Sequence, residues 1–154
     1  MSSVRHEIKS QLAKLLATED LIVEHKNCPT AQFNVETRVL VLPIWDKASN
    51  DVYDMLVGHE VGHALFTPNE DLPDGIPHSF VNIVEDVRIE KLMKRRYAGL
   101  AKYFYRGYRE LTDEDFFELE GVDISNMNLA DRVNLHFKIG NFVDIEFNSE
   151  EKEI

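Results

Sequence analysis

Apolar residues in the first third of the chain recur at helical spacing and then at alternating spacing. Over residues 3–17, Val4, Ile8, Leu12, Leu15 and Leu16 share one side of a predicted helix. A short apolar run, Leu21-Ile22-Val23, leads to a turn signal at Asn27-Cys28-Pro29. From Phe33 to Trp45 β-branched residues dominate. Val35, Thr37, Val39 and Val41 alternate there with Asn34, Glu36 and Arg38, which predicts one half-exposed strand. Pro43 cannot donate a ladder hydrogen bond and marks the strand's end or a sheet edge.

Ser49-Asn50-Asp51 offers capping residues ahead of a helix over 51–66. Its interior, Met55 to Phe66, is apolar on nearly every side, and such a helix belongs in the centre of a fold. Gly58 and Gly62 stand four apart and form a smooth stripe for a close neighbour. Each gives up about 1 kcal/mol of helix propensity relative to alanine. Residues 67–79, with Pro68, Pro73, Gly75 and Pro77, read as a loop. A second long helix is predicted over 80–97. Shorter ones are predicted over 100–110, over 113–119 with Thr112 as N-cap, and over 129–138. The last residues, Asn148 to Ile154, look like a helix just starting, so the chain is expected to be the N-terminal part of a longer protein. The pattern as a whole predicts a single α+β domain over 1–154. In it a small, mostly antiparallel sheet packs on the central helix, with further helices below.

Composition narrows the class. A chain of 154 residues with 44% hydrophobic and 29% charged residues is that of a globular domain with a sizeable core. A net charge of −11 argues against a nucleic-acid partner, which would demand surplus Lys and Arg. No apolar run is long enough for a membrane span, and the N-terminus lacks the apolar core of a secretory signal. The lone Cys28 fits a reducing compartment, so a cytoplasmic location is expected. The charge is uneven, basic over 88–109 and acidic over 110–123, as expected of two solvated helical faces.

His59-Glu60-Val61-Gly62-His63 changes the picture most. Residues four apart stand about 40° apart around a helix, so both imidazoles can point at one Zn²⁺. Glu60 is rotated about 100° from His59 and flanks the metal, where its carboxylate can act as general base on a zinc-activated water. Composition alone would produce this pattern in roughly one chain in a few hundred of this length, and the helical context removes many chance matches.

A catalytic zinc site needs a third protein ligand. The best candidates lie in Asn82-Ile83-Val84-Glu85-Asp86-Val87-Arg88-Ile89-Glu90, where polar groups interleave with apolar ones. Glu85 is the favoured ligand, with 21 residues between it and His63. Asp86 or Glu90 come next, then His78 or His136. Arg88 is expected to partner these carboxylates. Tyr105 and Tyr108 are candidate donors to an oxyanion, His136 reads as a packing residue, and His6 and His25 read as surface residues.

HEVGH followed by a helical glutamate resembles the gluzincin group of zinc peptidases. HEVGHALFTP with NIVEDVRIE is also similar to metallopeptidase-like proteins of large tailed bacteriophages, and to bacterial proteins that join such a segment to a von Willebrand factor A domain. The likeness runs over residues 33–108. It implies a zincin-like fold, one Zn²⁺ per chain held by His59, His63 and Glu85, Glu60 as catalytic base and Asp86 behind the ligands. It also implies peptide or protein substrates and, for a phage protein, the host cytoplasm. Gluzincins often carry an aspartate four residues after the ligand, but here Ile89 occupies that place, a departure from the family pattern. The alternative expectation is a zinc-stabilised, inactive interaction or regulatory module of a larger phage protein.

Overall fold

The computed structural model describes residues 5–154, an α+β arrangement of five α-helices and a three-stranded mixed sheet. Helix α1 (His6–Ala17) is followed by β1 (Ile22–Lys26), β2 (Gln32–Asn34) and β3 (Val39–Pro43). Helices α2 (Asn50–Phe66), α3 (His78–Arg96), α4 (Ala101–Asp113) and α5 (Leu129–Ile139) follow, with three short 3-10 helices besides. Helix α2 is central and packs against α1, α3 and α4. Its residues Val52, Met55, Val57 and Val61 meet Leu40 and Leu42 of β3, Met93 of α3 and Phe104 of α4 in one core.

The predicted strand over 33–45 is two strands and a turn. Asn34 Oδ1 accepts from the backbone N–H groups of Glu36 and Thr37, both at 2.9 Å, and Arg38 adopts a left-handed conformation with φ of 61°. An Asx turn of this kind competes directly with an extended ladder. The alternation through Val35 and Thr37 therefore marks a hairpin turn. The sheet order is β1-β3-β2, with β1 parallel and β2 antiparallel to β3. The expectation of a mostly antiparallel sheet is thus corrected: the parallel pair, from Ile22↔Val39 to Lys26↔Pro43, is the longer one.

Three further expectations change. Helix α1 buries Ala13, Ala17 and Lys9, whose ammonium pairs with Asp54, while Ile8 and Leu15 stay exposed. Small residues let α1 lie close on α2, and that decides which face turns inward. Val4 lies outside the described residues. The helix expected over 113–119 does not form, because Thr112 belongs to α4 and donates its hydroxyl to Tyr108 O. Asp115 and Glu118 then take positive φ. His6 and His25, expected at the surface, are partly buried with ring centroids 4.8 Å apart.

Ser49 caps α2 by accepting from Val52 N–H, and Asn128 caps α5 by accepting from Asp131 N–H. The glycines of α2 set how near its neighbours come. A Cβ at Gly62 would meet Ile89 Cδ1 at 2.7 Å, and one at Gly58 would meet Leu100 Cδ1 at an ordinary 3.4 Å. On α4, a Cβ at Gly107 would meet Met55 Cβ at 2.7 Å, an atom that the α2 backbone fixes. Gly107→Ala is therefore expected to destabilise by about 1–3 kcal/mol through overpacking. Gly58→Ala should be neutral or stabilise by up to about 1 kcal/mol. Urea unfolding of the two variants side by side checks the contrast.

Candidate metal centre

Gly62 admits Ile89 and Met93 against α2, and this approach sets the polar side of α3 opposite His59 and His63. Asp86 and Glu90 come from α3, Tyr108 from α4 and Lys138 from α5.

Both imidazoles are held from behind. His59 Nδ1–H donates to Glu90 Oε1 at 2.7 Å, and the Tyr108 hydroxyl donates to the same oxygen. His63 Nδ1 lies 2.8 Å from Thr67 Oγ1, and that hydroxyl gives its single proton to Glu85 Oε1 at 2.7 Å. The Thr67 oxygen must then accept from His63 Nδ1–H. With the ring protons drawn to Nδ1, the Nε2 lone pairs face forward. Arg88 completes the second relay, donating to Glu85 at 2.9 and 2.6 Å and to Phe66 O at 2.6 Å.

In front of the rings sits Asp86. Its Oδ1 is 3.1 Å from His63 Nε2 and 3.4 Å from His59 Nε2, and all three atoms lie within 4.8 Å of one another. Two donors bound at about 2.0–2.1 Å to one tetrahedral zinc would stand about 3.3 Å apart. Two imidazole nitrogens and a carboxylate oxygen are also the donor types that take zinc and related transition metals. A lone pair cannot face a carboxylate at this range without a ring proton or a metal ion between them. The residues present fit the group: His59, His63 and Asp86 are close enough to hold one metal ion.

Glu85 is not among the converging residues. Arg88 and Thr67 occupy its carboxylate, so it stands behind His63 instead of in front of it. The site therefore places Asp86 where the sequence favours Glu85. Of the other candidates, His78 hydrogen-bonds Asn82 at the start of α3, and His136 packs edge-on against Phe137 and Phe147. Tyr105 is exposed beside Phe142, away from the rings. Thr67 was missed, although it follows His63 by four residues and so continues the same helical side. Lys138 gave no signal at all.

Electrostatics agree with a site built for a cation. Burial pushes His59 down, but hydrogen bonds with Asp86 and Glu90 and the charge of Glu60 more than reverse this, to about 10 in the metal-free protein. Burial would raise Asp86, yet its contacts with both histidines and with Lys138 hold it well below the usual carboxylate range. Burial raises Glu60, against the opposing pull of His59 and His63. Burial, followed by the charge of Glu90, also raises the Tyr108 hydroxyl.

A group whose pKa rises on folding stabilises below its unfolded value and loses that contribution as pH climbs through its folded value. Metal-free protein is therefore expected to lose stability from about pH 6.5 to about 10 as His59 deprotonates between its two carboxylates. Urea midpoints across that range, with His59→Gln as a flatter control, test it.

Glu60, His59, His63 and Asp86 all open on one cleft of about 710 Å³, bordered by Phe33 of β2, Leu72 of the 67–77 loop, Phe116 and Lys138. Among the described residues β2 is an edge strand, paired with β3 on one side only. Among the described residues no helix is long and apolar enough to cross a membrane. No family model, no curated protein and no solved structure matches this chain.

Proposed function

We propose that the chain is a zinc-dependent metallopeptidase of gluzincin-like type, with His59, His63 and Asp86 as ligands and Glu60 as general base. The observation that carries this reading is the convergence of two outward-held Nε2 atoms and Asp86 Oδ1 on one point, beside a buried carboxylate that is not a ligand. A structural site would have no use for Glu60 at that place. The resemblance to gluzincins accommodates the change of ligand. Counted from Asp86, the acid expected four residues on is Glu90, and Glu90 is the residue that holds His59.

Zinc there would supply a Lewis acid for a peptide carbonyl and make water acidic enough to ionise near pH 7. Glu60 accepts the proton of the attacking water and returns it to the leaving amine, and its place on the cleft beside both histidines suits both halves of that transfer. Glu90 and Thr67 keep the rings in one tautomer and one orientation throughout. An extended peptide can add to the outer edge of β2, whose Gln32 and Phe33 border the cleft.

Chelation tests the reading directly. Protein stripped of metal is expected to cleave no casein, and one equivalent of Zn²⁺ per chain should restore cleavage. Full cleavage by metal-free protein would refute the proposal. Stoichiometric zinc without any cleavage would favour the inactive, zinc-stabilised module.

A further inference from the structure

A peptidase of the kind proposed needs a donor for the negative charge that grows on the carbonyl oxygen in the transition state. The aromatic candidates do not supply it. Tyr108 has committed its hydroxyl proton to Glu90, and Tyr105 stands outside the cleft. Among the described residues lining the cleft, Lys138 is the single lysine or arginine. It reaches in from α5, with its Nζ 3.4 Å from Asp86 Oδ2, the oxygen on the far side of the carboxylate from the two Nε2 atoms. An ammonium has three donors, and among the described residues only this one long contact engages it. Its side chain is 21% exposed and lines the cleft.

We propose that Lys138 is a catalytic residue, the cationic donor to the substrate's carbonyl oxygen as that oxygen becomes anionic. The inference rests on the peptidase reading above. Asp86 Oδ2 anchors the ammonium one carboxylate away from the ion site, and a second ammonium N–H is left for the substrate. No covalent bond forms to Lys138 and no proton need leave it; it contributes charge and a hydrogen bond. Such a donor acts in the transition state more than in the ground state, so its loss falls on kcat rather than KM. The neighbouring His136 lies against Phe137 and Phe147 instead, so this role falls to one residue of α5.

The test compares zinc-loaded wild type with Lys138→Met and Lys138→Arg. Three quantities are read: zinc content, casein cleavage, and calorimetric binding of a phosphonamidate dipeptide, whose anionic tetrahedral group mimics the transition state. Lys138→Met should keep one zinc per chain and its KM, lose about 10²–10³-fold in kcat, and bind the phosphonamidate at least about tenfold more weakly. Lys138→Arg should recover most of both losses. Wild-type kcat and phosphonamidate affinity in Lys138→Met would overturn the proposal. Loss of zinc from that variant would also overturn it, since Lys138 would then be serving the ligand Asp86. The two readings fail separately. A wild type that cleaves nothing yet binds the phosphonamidate through Lys138 sinks the peptidase and keeps the cationic anchor. A wild type that does neither sinks both.

Discussion

Glu60→Gln protein is expected to bind one zinc per chain as the wild type does and to lose about 10²–10⁴-fold in turnover, the usual contribution of a general base. The substitution is nearly isosteric, so the packing around position 60 should survive it. It removes the one function that a base requires, the ability to hold a proton and release it. Glu60 is 7% exposed and faces the same cleft as His59 and His63. Burying a carboxylate is costly unless something compensates it, and the compensation here comes from the positive charge of the histidine pair or of a bound ion. The amide relieves the same burial without a charge, so the metal-free variant should unfold no more easily than wild type. Zinc content with a thermal unfolding curve separates a chemical defect from a structural one. Unchanged turnover at full zinc occupancy would remove Glu60 from the mechanism.

How much of this could be read from the chain depends on whether the deciding contacts are local. The α2 helix, its Ser49 cap and the facing of His59, Glu60 and His63 follow from spacing alone, because helical geometry fixes residues three and four apart. The hairpin at residues 35–38 was hidden because a competing hydrogen bond, from the Asn34 side chain, outweighs a good strand pattern. The parallel pairing of β1 was hidden for another reason. A short apolar run, Leu21-Ile22-Val23, does not say which neighbour it meets, and that is settled only by the crossover. The proposed third ligand marks the sharpest limit. Glu85 and Asp86 are adjacent, about 100° apart on α3, and the choice between them turns on the rotation of α3 against α2. That rotation is set by Ile89 and Met93 entering over Gly62, and by Arg88 capturing Glu85. No local pattern encodes a rotation between two helices. Lys138 is harder still, since α5 reaches the site only through tertiary packing.

Asp86→Ala and Glu85→Ala are expected to part company by orders of magnitude in zinc affinity. Outer partners of metal ligands typically cost about 10–100-fold when removed, and Glu85, which acts through Thr67 on His63, belongs in that range. Removing it leaves all three donor atoms in place and frees Arg88. Removing Asp86 deletes a donor outright and with it the negative charge nearest both Nε2 atoms, so its loss should exceed that range clearly. The two variants also differ in a second respect. Without Asp86, His59 loses one of the two carboxylates whose hydrogen bonds raise it, so a chelator-treated Asp86→Ala protein should show a weaker fall in stability between about pH 6.5 and 10 than wild type. Competition against a chromophoric zinc chelator gives the affinities, and urea titrations give the pH dependence. Tight zinc binding in Asp86→Ala together with its loss in Glu85→Ala would return the third ligand to Glu85. It would also require α3 to turn by about one residue's rotation, roughly 100°, relative to the packing described.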